Sequence, residues 1–363
     1  MADVSHRVTA YAGGAKYEVL IGRAILADAL RREEVGSYER VAVIASARVY
    51  DLHREYLEES LGALGGRSCL ILMDDRELNK SYAAAGRFLD QFIEIGMNRK
   101  SAVIGVGGGV VGDFAGYCAG VYMRGIPIIH VSTTLLAMVD SSIGGKVAVN
   151  LSVGKNIVGL FHQPSLVVSD TRFLDTLPDI EFRNGLTEAL KHGLIGERKT
   201  LRMLERNDMD SIKHEDRILG LVARSVSFKS KIVQRDERER DVRAILNFGH
   251  TVGHAIESFM EYRGVSHGGA VATGIQVMVG ISRRLGLISG ADADRANRII
   301  ASYGLMLEKQ ACDLDGVIKH MEYDKKNFGD SAKFVLLKGL GNPIINQRIP
   351  LNMLREVMAE VIC

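Results

Sequence analysis

The first 170 residues alternate short apolar segments rich in β-branched residues with longer segments in which apolar residues recur every three or four positions. The first kind predicts strands and the second predicts helices, here at 48–64 and 80–95. Strands that alternate with helices are typical of βαβ units and a parallel sheet. The strands predicted in this way are 7–11 and 16–21, which Gly13 and Gly14 would join as a hairpin, then 41–45, 69–73, 102–106, 128–132 and 166–169.

After residue 171 the pattern changes, because strand-like segments become rare and Leu, Ile and Met recur at helical spacing. Pro178 and the Asp- and Thr-rich segment before it suit a domain junction, and 363 residues are many for one core. We therefore predict an α/β domain with a parallel sheet over 1–172 and an all-α domain over 173–363. The helices predicted in the second domain are 181–195, 217–235, 254–262, 270–285, 292–303 and 351–362, with one short strand at 333–337.

Composition narrows the class of protein. Hydrophobic residues make up 47% of the chain and charged residues 25%, as in ordinary soluble globular proteins. With 46 basic and 44 acidic residues, the chain has no overall positive potential that would attract nucleic acid or a membrane, so neither partner is expected. Any anion site must therefore be a local cluster of basic residues. We find no signal segment or long apolar run. The four cysteines are scattered without CxxC spacing, which predicts buried free thiols in a reducing cytoplasm.

The segment 243–254 carries four polar side chains in otherwise apolar surroundings. They fall at positions i, i+4, i+7 and i+11, so a continuous helix would align them in one stripe. Buried polar groups need partners, which predicts a metal, a ligand or both beside this stripe. Gly249 and Gly253 are each unfavourable in a helix by about 1 kcal/mol and suggest that something approaches the backbone closely. The four polar residues are Arg243, Asn247, His250 and His254.

A glycine-rich segment follows the strand predicted at 102–106 and opens a helical stretch. Its sequence, Gly107-Gly-Gly-Val-Val-Gly-Asp113, matches GxGxxG, whose glycines let backbone N–H groups approach a pyrophosphate at a helix N-terminus. The acidic ribose ligand expected about 20 residues later is missing, because that region is Ile129-His-Val-Ser132. The motif alone leaves a nucleotide site and a tight structural turn equally open.

Two further clusters combine glycine with lysine, at 139–146 and 154–156, after the pair Thr133-Thr134. Lysine beside permissive backbone is a recurring way of binding phosphate. Two exposed turns with surface lysines are the simpler interpretation of either cluster alone. Their position soon after the glycine-rich segment shifts the balance towards a phosphate site.

Glu188 and Lys191 lie at i and i+3 of a predicted helix. A surface ion pair is the simpler interpretation of this spacing, and a metal ligand beside a substrate cation is the alternative. His250 and His254 have the i, i+4 spacing of a helical zinc site, and His267 is a third candidate ligand. A lone helical histidine is more often a hydrogen-bonded core residue, but three so close together favour a metal.

Several motifs follow one another in a fixed order between about residue 75 and residue 340. They are 107–113, 139–146, 154–156, Glu188-Ala-Leu-Lys191, 243–254 and Asp324-Lys-Lys326. In combination they resemble the 3-dehydroquinate synthase family. The resemblance implies a Rossmann-like N-terminal domain, a helical C-terminal domain, NAD, a divalent metal (zinc or cobalt) and a homodimer.

The resemblance also implies roles for individual residues. Glu188, His250 and His267 would be the metal ligands, whereas His254 would lie beside the substrate, near its phosphate and the proton transfers. The other residues implied at the substrate are Asp140, Lys146, Asn156, Lys191, Lys229, Arg243, Asn247 and Lys325 or Lys326, with Arg124 reaching across from the partner subunit. Those implied to hold NAD are Glu77, Lys80, Ser81, Gly109, Val110, Gly112, Asp113, Thr133, Thr134, Lys146, Lys155, Phe173, Leu174 and Thr176.

The implied reaction converts 3-deoxy-arabino-heptulosonate 7-phosphate to 3-dehydroquinate and phosphate, a step of the shikimate pathway. NAD⁺ first oxidises the C5 alcohol, whose oxygen the metal polarises. The new ketone acidifies the adjacent C–H, so phosphate can leave by β-elimination. NADH then returns the hydride, the ring opens, and an intramolecular aldol reaction closes the carbocycle.

Some positions depart from the family pattern. An acidic or amide residue often follows the first βαβ strand and grips the adenosine ribose, but here the segment is Ile44-Ala-Ser46. The usual Pro-Gly-Glu before the cofactor lysine is Asp75-Arg-Glu77, so only Glu is kept. Val147 replaces a common Thr, and Gly269 a common Glu. These changes bear on NAD affinity and on the surroundings of the metal.

Three alternatives remain at this stage. Related sugar-phosphate cyclases that make inososes or valiolones tend to differ at the positions of Asp113, Asn247 and His254, where this chain keeps the dehydroquinate-type residues. A metal-dependent polyol dehydrogenase would release NADH and need not keep the phosphate-binding lysines. A non-catalytic NAD-binding regulator would be expected to lose a metal ligand or Lys191, and neither is lost.

Overall fold

A computed structural model describes residues 4–261, 264–307, 313–328 and 334–362, with side chains throughout except at 322–328. The chain divides into two compact units, which we call unit 1 and unit 2. Unit 1 comprises Met1–Pro178 and Glu215–Arg238, and unit 2 comprises Asp179–His214 and Glu239–Cys363.

The strands confirm the α/β prediction for the N-terminal part. In chain order they are β1 (His6–Ala12), β2 (Ala15–Gly22), β3 (Val41–Ser46), β4 (Ser68–Met73), β5 (Ala102–Gly107), β6 (Ile128–Ser132), β7 (Lys146–Leu151), β8 (Gly154–Phe161), β9 (Leu166–Asp170), β10 (Phe334–Leu337) and β11 (Pro343–Gln347). Seven strands of unit 1 form one sheet in the order β1-β2-β9-β6-β5-β3-β4. Neighbouring strands in this sheet are parallel, except β1 and β2, which pair as an antiparallel hairpin. The sequence did not predict β7 and β8, which pair as a separate hairpin.

The order of the strands places a reversal point inside the sheet. From β3 the chain passes outwards to β4, and then returns to build β5, β6 and β9 on the other side of β3. In doubly wound sheets of this kind, ligands bind in the crevice beyond the carboxyl ends of the strands at the reversal. Ser46 ends β3 and Gly107 ends β5, so the glycine-rich segment lies at this point.

Both faces of the parallel sheet are covered by apolar side chains. Val43 and Ile104 belong to one core cluster, whereas their neighbours Ala42 and Val103 belong to a second cluster that contains Phe114. Continuous apolar strands are expected where helices cover both faces of a sheet. This is why the β-branched segments were visible in the sequence.

The helices agree with most of the predicted periodic segments. They are α1 (Leu26–Leu30), α2 (Glu33–Gly36), α3 (Ala47–Leu52), α4 (Arg54–Leu61), α5 (Tyr82–Glu94), α6 (Gly109–Val121), α7 (Asp179–Ile195), α8 (Arg198–Arg206), α9 (Met209–Ile212), α10 (Glu215–Arg235), α11 (His250–Phe259), α12 (His267–Arg284), α13 (Gly290–Ser302), α14 (Leu314–Phe328) and α15 (Leu351–Ile362). The predicted helix at 48–64 is divided at His53, whose backbone is not helical. Lys80, predicted inside a helix, precedes α5, because Ser81 caps that helix by accepting a hydrogen bond from Ala84 N.

Helix α10 belongs to unit 1, although the sequence led us to assign all of 173–363 to the second domain. It packs against β1 and against the turn Ala137–Ser141, and its buried residues include Val222 and Val226. The apolar face of α10 is therefore covered by elements that lie much earlier in the chain. The later of the two ends at Ser141, more than 70 residues before α10 begins at Glu215. Periodicity reveals such a face but not its partner.

In its described part, unit 2 is mainly helical and contains one two-stranded hairpin, formed by β10 and β11. The prediction that the second domain is all-α is therefore wrong in this respect, because two of its segments pair as strands. The strand predicted at 333–337 corresponds to β10, and Lys333 lies outside the described residues. Within the described ranges, no helix combines the length and apolarity needed to cross a membrane.

The continuous helix predicted for 243–254 is wrong. Val242–Asn247 forms a 3-10 turn, Gly249 has φ +82°, and α11 begins only at His250. A Cβ on Gly249 would lie 2.6 Å from Ile275 Cγ1, and a Cβ on Gly274 would lie 2.0 Å from the Gly249 carbonyl oxygen. The group that approaches this backbone is therefore α12, and the glycines permit the close contact.

Two of the cysteines can be described. Cys69 and Cys118 are free thiols, as predicted, and Cys118 is fully buried. Cys69 lies on β4 and is only half-buried, so the prediction of burial is wrong for this residue. Burial raises the pKa of Cys118 to about 12, so its thiol is protonated and unreactive at neutral pH. Cys312 and Cys363 lie outside the described residues.

Candidate functional site

Three potential metal ligands meet in unit 2. They are Glu188 of α7, His250 of α11 and His267 of α12, and their ligand atoms lie within 4.8 Å of one another. Glu188 Oε1 is 3.5 Å from His250 Nε2 and 3.7 Å from His267 Nε2. Two ligand atoms about 2.1 Å from a tetrahedral ion are roughly 3.4 Å apart. One carboxylate and two imidazoles at this spacing suit a divalent metal such as zinc, and leave positions for other ligands.

Glu188 lies in the middle of α7, whereas the other two ligands are positioned by the starts of helices. His250 and His267 are the first residues of α11 and α12. Ser266 caps α12 by accepting a hydrogen bond from Gly269 N, and Gly268 N donates to Asn184 Oδ1 of α7 at 2.8 Å. A Cβ on Gly268 would lie 2.5 Å from Asn184 Cα, so this residue must be small for α12 to begin next to α7.

Glu188 and Lys191 are both buried, each 1% exposed, and the Lys191 ammonium contacts the Glu188 carboxylate. The surface ion pair that their spacing suggested is therefore wrong. Burial, together with the charge of Lys191, lowers the pKa of His250 well below its usual value and keeps it in the neutral form that binds metals. Burial would lower the pKa of His267 as well. Hydrogen bonds to Glu188 and Glu257 have the larger effect and raise the pKa of His267 to about 10.

Glu257 is a residue at this site that the sequence analysis missed. Its Oε2 lies 3.3 Å from His267 Nδ1, while His267 Nε2 faces Glu188. The imidazole thus has one nitrogen towards the candidate metal position and the other against a carboxylate. Carboxylates in this position orient metal-binding histidines in many sites. No local spacing could have revealed it, because Glu257 and His267 are ten residues apart and lie on different helices.

The remaining polar residues of the 243–254 segment are separated by the break at Gly249. Arg243 is buried, whereas Asn247 and His254 are exposed. Asn247 Nδ2 donates to Glu239, a second residue that the sequence analysis did not single out. The ring of His254 stays near the ligands, with centroids 5.3 Å from His250 and 6.3 Å from His267. The side chains of Lys325 and Lys326 lie outside the described residues.

A second polar cluster lies in unit 1, around Lys80. This lysine is 3% exposed, and its Nζ is 2.8 Å from Asp113 Oδ2 and 2.6 Å from Asn156 Oδ1. Glu77 Oε1 lies 3.5 Å from the same ammonium. Asn150, a residue not predicted from the sequence, donates to Glu77 Oε1 at 2.7 Å and accepts from Asn156 N at 2.8 Å. The structure thus joins residues assigned to NAD with one assigned to the substrate.

The glycine-rich segment connects β5 to α6, as predicted. A Cβ on Gly107 would lie 2.6 Å from Val111 Cβ, and one on Gly108 would lie 2.9 Å from Thr134 Cγ2. Close packing alone therefore requires glycine at both positions. The segment also leaves a small pocket beside the N-terminus of α6, where backbone N–H groups have no intrahelical partner. Residues that line it include Gly107, Gly108, Gly112, Asp113, Ser132 and Ser141.

The other residues assigned to ligands in unit 1 have varied environments. Lys229 of α10 is buried, and its Nζ lies 2.9 Å from Asp140 Oδ1. Segment 139–145 is mostly buried rather than an exposed turn, whereas Lys146 at the start of β7 is exposed. Thr133 is buried, and Lys155 is half-buried on β8. Arg124 follows α6 and is exposed. Phe173 is buried and packs against the rings of His53 and Tyr56. The hydroxyl of Thr176 is hydrogen-bonded to His53.

Comparisons with known proteins cover most of the chain. The family model for the 3-dehydroquinate synthase N-terminal domain matches residues 70–184, and that for the C-terminal domain matches residues 185–327. The 3-dehydroquinate synthase of Acidithiobacillus ferrooxidans is 40% identical over 340 residues, which cover 93% of each chain. That of Nitrosospira multiformis is 37% identical over 345 residues, or 95% of this chain and 94% of the other.

Solved structures of two other cyclases have the same fold. A 2-deoxy-scyllo-inosose synthase complexed with carbaglucose-6-phosphate, NAD⁺ and Co²⁺ has a TM-score of 0.90 and 27% identity, covering 98% of this chain and 100% of the other. The 2-epi-5-epi-valiolone synthase from Streptomyces hygroscopicus, with NAD⁺ and Zn²⁺ bound, has a TM-score of 0.87 and 26% identity, covering 96% and 97%. An iron-containing alcohol dehydrogenase shares only the fold, at 16% identity and a TM-score of 0.67.

Proposed function

The chain belongs to the 3-dehydroquinate synthase family, and on this premise we propose that it converts 3-deoxy-arabino-heptulosonate 7-phosphate to 3-dehydroquinate and phosphate. The observation that carries the proposal is identity of 37–40% over more than nine-tenths of the chain with relatives of that name. The reaction is a phosphate elimination without net redox change, which makes the protein a carbon–oxygen lyase. The cytoplasmic location expected from the thiols is part of the same proposal.

Sequence similarity favours this substrate over those of the sibling cyclases. The inosose and valiolone synthases share the fold at 26–27% identity, well below the 37–40% of the dehydroquinate synthases. The residues at Asp113, Asn247 and His254 are those expected for the dehydroquinate type. A polyol dehydrogenase has less support, because the similarity to such enzymes extends only to the fold.

The donor groups of the two clusters suit the proposed cofactors. Glu188, His250 and His267 would hold Zn²⁺ or Co²⁺, which supplies a Lewis acid for the substrate oxygen. The residues that we assign to NAD lie beyond the carboxyl ends of the sheet of unit 1, and NAD supplies the hydride acceptor and later the donor. Their surroundings include the Lys80–Asp113 pair and the N-terminus of α6.

Residues of unit 2 would bind the anionic substrate and move its protons. Lys191 and Arg243 are buried cations, so they would interact strongly with a carboxylate or phosphate where water is excluded. His254 is exposed beside the metal ligands rather than among them, and its imidazole would exchange a proton with the substrate. Histidine is the side chain that most often transfers protons in catalysis.

The decisive experiment is an assay of purified protein with NAD⁺ and Zn²⁺. We expect equal amounts of phosphate and 3-dehydroquinate, with no accumulation of NADH at the end of the reaction. Glucose 6-phosphate and sedoheptulose 7-phosphate are tested in parallel, as substrates of the inosose and valiolone types. Turnover of either sugar phosphate without formation of dehydroquinate would overturn the proposal.

A pair of variants separates metal binding from proton transfer. We expect His267→Ala to lose bound metal, because a ligand is removed. We expect His254→Ala to keep the metal and to lose turnover by about 10²–10⁴-fold, the usual contribution of a general acid or base. Metal content is measured by elemental analysis beside the assay. Loss of metal from His254→Ala would show that the assignment of ligands is wrong.

We also propose that the protein is a homodimer formed through the β7–β8 hairpin. Several apolar side chains are exposed on this hairpin and on the adjacent end of α6, which packs against it where Gly120 meets Leu160. Arg124 directly follows Met123 and is exposed, so we propose that it reaches a second copy bound at this surface. The exposed side chains are Val121, Met123, Leu151, Val153, Ile157 and Phe161. Exposed apolar side chains gathered on neighbouring elements are typical of interfaces.

Light scattering and complementation test the dimer. Ile157→Glu with Phe161→Glu is expected to give monomers, whereas Ile93→Glu, at an exposed apolar residue of α5, is expected to leave the dimer intact. Subunits of Arg124→Ala and His254→Ala, unfolded and reassociated together, should recover about a quarter of the wild-type activity if Arg124 serves the partner's site. No recovery would place Arg124 in its own subunit's site.

A further inference from the structure

The turn before β7 depends on its neighbours for its shape. Gly144 and Gly145 both adopt positive φ angles, 96° and 66°, in the left-handed region that favours glycine. Glycine is also the most flexible residue, so two in succession do not fix a turn by themselves. Lys146 follows them as the first residue of β7. The direction of this lysine therefore depends on the contacts that hold the two glycines.

The backbone of both glycines is hydrogen-bonded to other residues of unit 1. Gly144 N donates to the hydroxyl of Tyr17, 3.4 Å away, and Tyr17 is itself buried on β2. The Gly145 carbonyl accepts from His162 N at 2.8 Å. Because Gln163 follows His162 directly, this second bond also brings Gln163 to the turn.

Gln163 fills the space beside Gly145. A Cβ on Gly145 would lie 2.6 Å from Gln163 Nε2, so the side-chain amide packs on the bare Cα of this glycine. The same nitrogen donates to Glu237 Oε1 at 2.8 Å. Glu237 lies two residues after the end of α10, and a Cβ on Gly13 would overlap its carboxylate. The carboxylate therefore contacts both the β1–β2 turn and the Gln163 amide.

The chemistry of this pair fixes the orientation of the Gln163 amide. A carboxylate only accepts hydrogen bonds, so the amide must turn its NH₂ group towards Glu237. A hydrogen bond to an ionised group is also roughly twice as strong as one between neutral groups. The two residues are 74 positions apart in the chain, so packing rather than local structure brings them together. Glu237 thereby sets the position of the group that packs on Gly145.

We infer that Gln163, oriented by Glu237, is a positioning residue, which fixes the Gly144–Gly145 turn and thereby directs Lys146 towards the anionic substrate. The inference rests on the proposed function, in which Lys146 binds this substrate. It adds to that function a residue that acts through Lys146, and it explains why a side-chain amide and a carboxylate are paired behind the turn.

Exchanging the two side chains of the pair tests the inference in the Zn²⁺-loaded full-length protein with NAD⁺. Gln163→Glu places two carboxylates at hydrogen-bond distance, where they repel each other. Combining Gln163→Glu with Glu237→Gln restores one amide and one carboxylate with their places exchanged. Gln234→Glu, at an exposed position of α10, is the matched control for the change of charge.

Steady-state kinetics separate positioning from folding. A displaced Lys146 binds the substrate less well, so Gln163→Glu should raise the KM for the sugar phosphate by about tenfold or more, with a much smaller change in kcat. The exchanged pair should recover most of the wild-type KM, and Gln234→Glu should keep it. A loss of folded protein would instead lower kcat at an unchanged KM, and that result would overturn the inference.

Hydrogen exchange followed by mass spectrometry tests the turn without turnover. The peptide that contains residues 144–146 should exchange faster in Gln163→Glu than in the wild type and should return to the wild-type rate in the exchanged pair. Unchanged exchange in Gln163→Glu overturns the inference and leaves the proposed function standing. A wild type that forms no dehydroquinate, but whose exchange responds to the pair in this way, overturns the proposed function and supports the role of Gln163 in fixing the turn.

Discussion

At the scale of single residues, the main feature is a buried negative charge. Glu188 is 1% exposed, and a carboxylate removed from water is stable only if nearby positive charge compensates for its lost hydration. Lys191 supplies such a charge, and His250 and His267 point nitrogen atoms at the same carboxylate. The buried carboxylate is thus surrounded by groups that can compensate for its charge.

Glu257 is expected to tune metal affinity through His267. Its carboxylate fixes the orientation of the imidazole and increases the basicity of the nitrogen that would face the metal. Glu257→Gln should weaken Zn²⁺ binding by about 10–100-fold, measured by competition with a chelator. Glu261→Gln, at an exposed position after the same helix, is the control. Equal affinity in Glu257→Gln and wild type would show that Glu257 does not support the ligand.

His130 should make the protein sensitive to mild acid. It is buried beneath the glycine-rich segment, and burial, with a smaller effect of His162, lowers its pKa to about 4. The unfolded chain takes up a proton near pH 6.5, so stability is lost as pH falls from about 6.5 towards 4, by up to about 3 kcal/mol.

Replacing His130 by leucine removes the titrating group. His130→Leu should flatten the dependence of the urea midpoint on pH in that window, relative to the wild type. Parallel curves for the two proteins would mean that His130 is not the group responsible.

At the scale of elements, α11 and α12 pack through their backbones. A Cβ on Gly274 would overlap the Gly249 carbonyl at 2.0 Å, and backbone cannot move aside as a flexible side chain can. Gly274→Ala should therefore destabilise unit 2 by about 3 kcal/mol or more and weaken metal binding, since both helices begin with a ligand.

The same substitution elsewhere provides the control. Gly86 lies inside α5, and its Cβ would meet nothing within 4 Å. Gly86→Ala should stabilise the protein by up to about 1 kcal/mol, because alanine favours helix. Thermal denaturation of both variants checks the contrast, and similar effects of the two substitutions would contradict the packing explanation.

At the scale of the molecule, the candidate metal would join α7, α11 and α12 within unit 2. A ligand that binds only the folded state raises stability in proportion to the logarithm of its concentration, by about 2.7 kcal/mol at 100 times Kd. The Tm of the metal-free protein should therefore rise with added Zn²⁺, and Glu188→Gln should abolish the rise. A Tm that does not respond to Zn²⁺ in the wild type would argue against the site.

Much of the fold was evident in the sequence, because buried strands and amphipathic helices leave periodic patterns. The core strands β3, β5 and β6 were predicted to within one residue, and α7 and α12 to within three residues at each end. The hairpin of β7 and β8 was missed, since its glycines and lysines obscure the alternation. The break before α11 was missed because the residues on both sides of Gly249 continue a helical pattern.

The sequence by itself determined the family, the identities of the candidate ligands and the order along the chain of the strands that form the seven-stranded sheet. Those features depend on residue types and spacing, which a linear pattern preserves. Only the tertiary structure decided that Glu188 and Lys191 are buried, that α10 belongs to unit 1, and that Gln163 and Glu257 lie beside Glu237 and His267. These features depend on contacts between residues that are distant in sequence or on different elements, and such contacts are set by packing rather than by local periodicity.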